Sequence, residues 1–320
     1  MAQNAATDAK AILRTGAEAL IPLEISNEII KEIPQNSKLL PMMRRLPNMS
    51  AKQRTLPVTS ALASAYFLNG DTDNKKTSNA EWQKLTLTAE ELAVIIPIPE
   101  AVLDDSAFNI WDEIKPQVTE AMGMAIDQAI VFGANKPASW PNAIVEDAAT
   151  AQNTVEIGAG KDLASDIIGV DGLMNKVESD GYYVTGFYAD GTMDARMRDL
   201  RTTTNELLYL PALTANAPAT ILGRPIVYDN LGNFDTDKAL MVAGDFSKLV
   251  YAIRQDITTK ILDQAIIQNT DGSIAYNLAQ QDMVALRVVM RIGVQIAKPA
   301  TRRAGTNGYP FAILTPKAST

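Results

Sequence analysis

Several places in the chain carry side chains that could do chemistry, and each meets a physical objection. Gly158, Gly160 and Lys161 resemble the end of a phosphate-binding loop. Such a loop needs a first glycine five residues before the Gly-Lys pair and Ser or Thr after it; those positions hold Val155 and Asp162. Asp71 and Asp73 hint at a calcium loop. The glycine of its sharp turn is replaced by Lys76, and Trp82 stands where a bidentate glutamate belongs, which leaves at most weak ion binding. The neighbours Asp104 and Asp105 could serve as an acid–base pair, but capping of a following helix explains them more simply. The pairs Arg44–Arg45 and Arg302–Arg303 read as ion-pairing or DNA-facing groups, or as solvated surface. The 320 residues include no histidine and no cysteine. A Ser-His-Asp hydrolase, a histidine zinc site, disulfides and thiolate metal sites are therefore excluded. No catalytic residue, metal or cofactor is assigned.

The elements that would position any site are clearer. Residues 94–98 form a short apolar strand that ends, or runs along an edge, at Pro97 and Pro99, because proline cannot donate to a ladder. Asp104, Asp105, Ser106 and Asn109 offer caps to a long helix over about 108–132. On it Trp111, Ile114, Val118, Ala121, Met122, Ala125, Ile126, Ala129 and Ile130 share one face, and Gly133 ends it. At ~1.5 Å per residue it reaches roughly 35 Å, a beam rather than a catalytic scaffold. Pro116, which removes one backbone donor, marks an expected bend. Upstream, 52–96 reads as a long hairpin, outgoing near 54–68 and returning near 82–96, with Trp82, Lys84, Thr86 and Thr88 on one side and Gln83, Leu85 and Leu87 on the other. Its tip is polar. A lone two-stranded hairpin is marginal in water and exposes open edges, so it lies across a neighbour or is an ordinary surface hairpin.

The remainder reads as mixed α/β. Residues 134–160 look loop-rich, 163–179 helical though weakened by Gly169 and Gly172, 182–188 a strand, and 192–208 a helix with Met193, Met197, Leu200 and Leu207 inward. Strands are expected at 220–228, 239–242, 249–253, 257–267, 274–278, 284–292 and 293–297. Near the start, Pro22, Pro34, Pro41 and Pro47 punctuate an apolar segment with a short amphipathic helix over 25–33, capped by Ser26 or Asn27. Formal charge is −8 and 47% of residues are hydrophobic. The chain can fill a large core, split into two subdomains, and is not built to grip nucleic acid along its whole surface. No apolar run is long enough for a membrane span and no signal pattern opens the chain, so a reducing cytosol is the expected folding environment and no membrane partner is expected.

The order of strand, proline stop, LDDS, IWDEI and a long helix within 92–133 resembles the major capsid protein family of tailed bacteriophages, with its HK97-type fold. Further stretches carry the same likeness: LIPLEISNEIIKEIPQNSKLLPMMRRLP at 20–47, GRPIVYDN at 223–230, AGDFSKLVYAIRQDI at 243–257, and MVALRVVMRIGVQIAKPATRRA at 283–304. The resemblance implies an α+β fold with an N-terminal arm (1–51), an E-loop hairpin (52–96), a P domain (97–160 and 255–292) built on the long spine helix, and an A domain (161–254 and 293–320).

It implies a structural protein rather than an enzyme, self-assembling as hexamers and pentamers into an icosahedral virion shell around double-stranded DNA, without sequence specificity. Assembly would take place in the bacterial host cytoplasm, with a portal protein and separate scaffolding or decoration proteins as further partners. Contacts between subunits are expected from the arm (Leu23, Ile29, Arg44, Arg45), from the hairpin (Arg54, Asp71, Asp73, Lys75, Lys76, Trp82, Lys84) and from the late strands (Arg287, Arg291). Some family members join a hairpin lysine to an asparagine next door, helped by a carboxylate. Here Val289 and Met290 precede Arg291 where acidic residues often stand, so no cross-linking is expected. Only about twenty residues precede 20–47, so either the family's long scaffolding segment was never present or scaffolding comes from a separate protein, and Met1 favours a chain used as made. Two rivals remain: an encapsulin-like nanocompartment shell holding protein cargo, and a glycosidase-type enzyme with paired carboxylates. The second would need aromatic platforms, yet only 3 Trp are present, with Trp82 and Trp111 placed on hairpin and helix.

Overall fold

The computed structural model describes residues 37–65, 67, 77–105, 110–200 and 219–317. Two sheets organise it. The first has five strands in the order β1-β9-β12-β3-β2: β1 (Arg44–Arg45), β2 (Gln53–Ala61), β3 (Glu81–Pro99), β9 (Leu249–Leu262) and β12 (Met283–Ile296). The second has six in the order β4-β13-β8-β5-β7-β6: β4 (Thr154–Glu156), β5 (Gly186–Asp190), β6 (Thr220–Ile221), β7 (Arg224–Asp229), β8 (Met241–Gly244) and β13 (Phe311–Thr315). A small ribbon pairs β10 (Ile266–Gln268) with β11 (Ile274–Asn277).

The short helix α1 (Glu100–Asp105) precedes the long helix α2 (Ile110–Val131), which runs unbroken through Pro116. α2 lays Ile114, Val118, Met122, Ile126 and Ile130 onto the five-stranded sheet, against Leu286, Val288, Met290 and Ile292 of β12. Each such burial contributes ~1.5–3 kcal/mol, so packing rather than propensity holds the helix. Ala121, expected on the inner face, is exposed. Gly133 closes the helix at φ +74, a left-handed conformation that favours glycine. Asp104 lies within α1 and so is no cap for α2; residues 106–109 and the side chain of Asp105 lie outside the description.

Of the two readings at Pro97 and Pro99 the edge holds: β3 runs through Pro97 and ends at Pro99. Its pairing with β2 ends at Thr88, followed by one bond from Ala89 N–H to Lys52 O, and beyond that, among the described residues, it is an edge strand laddered to β12 alone. Glu100 N–H donates inward to Asp282 O, so by alternation the nitrogens of Pro97 and Pro99 face the open edge, where no donor is needed. The strands expected at 249–253 and 257–267 are one strand, β9 through Leu262. Its ladder with β12 carries two register shifts, which break the period-2 pattern and hide the continuity. Of the strand expected at 293–297, residues 293–296 likewise continue β12 and do not enter the second sheet; β13 does that, between β4 and β8.

In the six-stranded half, 134–160 is more ordered than expected. It contains α3 (Ile144–Thr150), which has no side-chain cap to announce it, and β4. The single helix over 163–179 is two, α4 (Leu163–Ile168) and α5 (Leu173–Ser179). The chain turns so tightly between them that a Cβ on Gly169 would lie 2.4 Å from Ser165 O. The strand expected at 182–188 is β5, shifted to Gly186–Asp190, while Tyr182 is in the preceding loop and donates to Pro299 O at 2.8 Å. Helix α6 (Thr192–Arg198) buries Met193 and Met197 as expected; Leu207 lies outside the described residues. Leu222 and Gly223, both at positive φ, fold 220–228 into the hairpin β6–β7. The phosphate-loop mimic is closed by its own chain: Asp166 accepts Gly158 N–H at 2.7 Å and Gly160 N–H at 2.6 Å, and Asp162 caps α4 through Ser165 N–H.

Candidate assembly interface

The hairpin is an extension of the first sheet. Residues 81–88 of β3 pair antiparallel with β2, from Gln53 opposite Thr88 to Ala61 opposite Glu81, and the same strand then passes into the body. Polar contacts tie it to the body at its root and at its outer end. Ala300 N–H donates to Thr59 O at 2.9 Å, Arg302 to Ala63 O at 2.8 Å, Gln295 to Thr86 O at 3.1 Å, and Arg54 to Pro47 O at 2.8 Å. Apolar support ends early. Leu87 is buried with Met49 and Val250, and Leu56 packs on that cluster, but no cluster residue lies farther out. Trp82 is 67% exposed, and Phe67 99%. Val58, farther out and in none of these clusters, is nevertheless buried, and Ala300 and Arg302 hold the backbone at Thr59 and Ala63, so what the outer hairpin leaves bare is the aromatic surface of Trp82 and Phe67.

The expected contact residues divide by place. Arg54, Trp82 and Lys84 share the hairpin, Trp82 opposite Thr59 and Lys84 opposite Pro57. Arg44 and Arg45 sit at the far edge of the same sheet, where β1 runs parallel to β9 at Val250 and Tyr251, and three strands separate them from β2. Arg45 donates to Asn48 Oδ1 at 3.3 Å. Arg287 is exposed on the sheet face away from α2, between Ile95 and Lys260. Arg291, opposite Glu91, grips it through Nε and Nη2 at 3.0 and 2.8 Å, so its charge is engaged within the chain. Because this pair is half exposed, Arg291→Ala is expected to lower stability by no more than ~1 kcal/mol, read as a small shift in thermal midpoint. Leu23, Ile29, Asp71, Asp73, Lys75 and Lys76, and the short helix over 25–33, lie outside the described residues.

The sequence reading passed over Phe67 and the ribbon isoleucines Ile266 and Ile274, which are 57% and 62% exposed. It also passed over Asp127, a buried carboxylate on α2. Its one signal was an acid flanked by Ile126 and Ile130 on an otherwise apolar face. No cation pairs with it among the described residues; burial, the largest influence, lifts its carboxyl to about 7.

A beam-like helix across a long twisted sheet, a projecting hairpin continuous with that sheet, and a second compact α/β half define a shell protein of the HK97 type. The chain matches the model of the phage capsid family over residues 17–304, and it belongs to that family. It is 28% identical over 279 residues to the major capsid protein of Staphylococcus phage 80alpha, covering 86% of this chain and 81% of that protein. A solved structure from Microbacterium phage Oxtober96 superimposes with a TM-score of 0.77 at 34% identity, covering 97% of this chain and 96% of that one. One from Mycobacterium phage Cain gives 0.75 at 30%, covering 97% and 100%. The capsid of an empty GTA particle shares the fold, with a TM-score of 0.63 at 16% identity and 94% of each chain covered. The protein is therefore a phage major capsid protein, a self-associating structural component of the virion shell, from a family that is not one of enzymes. Nothing in these likenesses favours the nanocompartment reading.

Proposed function

We propose that copies of this chain join as hexamers and pentamers and close into an icosahedral shell around double-stranded DNA, with the hairpin of each copy lying over its neighbour. The observation that carries this is the outer hairpin, where Trp82 on the ladder and Phe67 beyond its end are exposed aromatic side chains. Covering such surface is worth ~25 cal/mol per Å², opposed by association entropy, so single contacts are weak and the closed shell is stable. In this reading the arm and hairpin reach outward, α2 with the five-stranded sheet forms the P domain, and the six-stranded half forms the A domain. The boundaries at 254/255 and 292/293 then fall inside the continuous strands β9 and β12. DNA is enclosed without sequence readout, a portal occupies one vertex, and a separate scaffold guides closure in the host cytoplasm.

The test is negative-stain microscopy of the protein expressed alone and with the proteins encoded beside it, combined with assay of the particles for nucleic acid. Closed shells of uniform size are expected, holding DNA when packaging proteins are present. Boiling in denaturant should release single subunits, since no covalent link is formed. Filled shells that carry only protein cargo, or ladders of linked subunits on the gel, would count against the proposal.

A further inference from the structure

Where residues 1–36 join the described body, the chain turns over a carboxylate supplied by the long helix. Asp127, 1% exposed, accepts the Ser37 hydroxyl at 2.6 Å, Lys38 N–H at 2.9 Å and Leu39 N–H at 3.4 Å. Ser37 Oγ accepts Leu40 N–H at 3.0 Å, which closes the turn. A second enclosed carboxylate, Asp229, ends β7 and is 2% exposed. It accepts the Tyr188 hydroxyl, Leu231 N–H at 2.9 Å and, with the amide of Asn233 turned nitrogen-inward, that nitrogen at 2.8 and 2.5 Å. Gln128, next on the helix, donates to Asn233 O at 3.1 Å.

The groups facing Asp127 are thus the hydroxyl and two N–H groups of the turn on one side. On the other are Asp229 and Tyr188, the latter also within reach of Asp190. Among the described residues no lysine or arginine forms an ion pair with either carboxylate. A carboxylate enclosed without a counter-cation is costly, and the neighbouring Asp229 adds to that cost, so burial favours the protonated form of Asp127.

We propose that Asp127 is a proton-operated latch on the root of the N-terminal arm: while it is protonated the turn at 37–40 is held on the long helix, and loss of its proton lets the turn lift away. A protonated Asp127 still offers lone pairs to Lys38 and Leu39 N–H, and its own proton goes to Ser37 Oγ, whose hydroxyl rotates. On opening, the carboxyl meets water and gives its proton to solvent. The closed form holds the proton at about 7, against 3.8 for a solvated aspartate. A pKa raised in the closed form stabilises that form fully below the solvated value, and the stabilisation is lost as pH climbs through the closed-form value. Opening should therefore grow about a hundredfold from pH 5 to 9, of which about tenfold falls above pH 6, and level off beyond the closed-form value.

Hydrogen exchange with mass spectrometry on the full-length protein, corrected for intrinsic exchange, reads this in the peptide covering 37–43. Its protection should decline with that profile. Asp127→Asn carries no titratable proton and should give a flat profile. Asp229→Asn, which removes the neighbouring charge, should give a shallower decline. A flat profile for the unaltered chain, or an unchanged decline in Asp127→Asn, would refute the latch. If Asp127→Asn does not fold, the profile of the unaltered chain alone decides, and a flat one refutes the latch. The readout is local and independent of whether shells form.

Discussion

A chain whose residues 62–80 are replaced by an Asn-Gly turn should fold normally and fail to close shells. Ala61 and Glu81 are directly paired, so a two-residue turn can join them without strain. No member of any apolar cluster lies within the deleted stretch, so the thermal midpoint should stay within about 2–4 °C of the parent. Assembly should suffer far more. Covering an aromatic side chain such as Phe67, 99% exposed in the single chain, contributes ~1.5–3 kcal/mol. Its loss weakens each contact at least about tenfold, and a shell repeats that contact throughout. Size-exclusion chromatography with microscopy decides the matter. Shells of parental size and yield from the shortened chain would remove the hairpin from the assembly mechanism.

The second large effect concerns Gly244, at the end of β8 opposite Phe311 of β13. A Cβ there would lie 2.3 Å from Phe311 Cδ1 and 2.5 Å from Pro310 O. Gly244→Ala should cost ~1–3 kcal/mol or more, because backbone must move. Phe311 is fully buried and stacks edge-on with Phe246 at 5.4 Å, so Phe311→Ala should cost ~3–5 kcal/mol. Combining the two should recover only part of the glycine penalty, since the ring is removed but the Pro310 carbonyl remains. Denaturant melts of both single variants and the double variant test this. Full rescue would show that the ring alone forbids a side chain at 244.

The long helix and the return strand of the hairpin were legible because their patterns are regular: apolar residues three and four apart on α2, and alternation from Trp82 to Leu87. What was hidden has local causes. Pro97 and Pro99 read as a stop or as an edge, and sequence alone did not choose; β3 runs through Pro97 because the missing donors face an open edge. β9 read as two strands because its register shifts disturb the alternation between Ile253 and Thr258. Gly169 and Gly172 were noticed as weak points, but sequence did not show that Ser165 O leaves no room for any Cβ. At the interface, Trp82 was legible as an exposed hairpin residue. Asp127 was not, because its importance comes from partners about ninety positions away in the chain.

β3 has a mechanical consequence. One 19-residue strand begins in the projecting hairpin and ends deep in the body, with no joint between the two. A tug from an adjoining copy along this strand is borne as shear by its ladder with β12, whose rungs from Gly293 opposite Ala89 to Met283 opposite Pro99 share the load side by side. Rungs loaded in parallel must yield together, so the strand acts as a tie rod that carries strain from the rim of one copy to the sheet beneath its long helix.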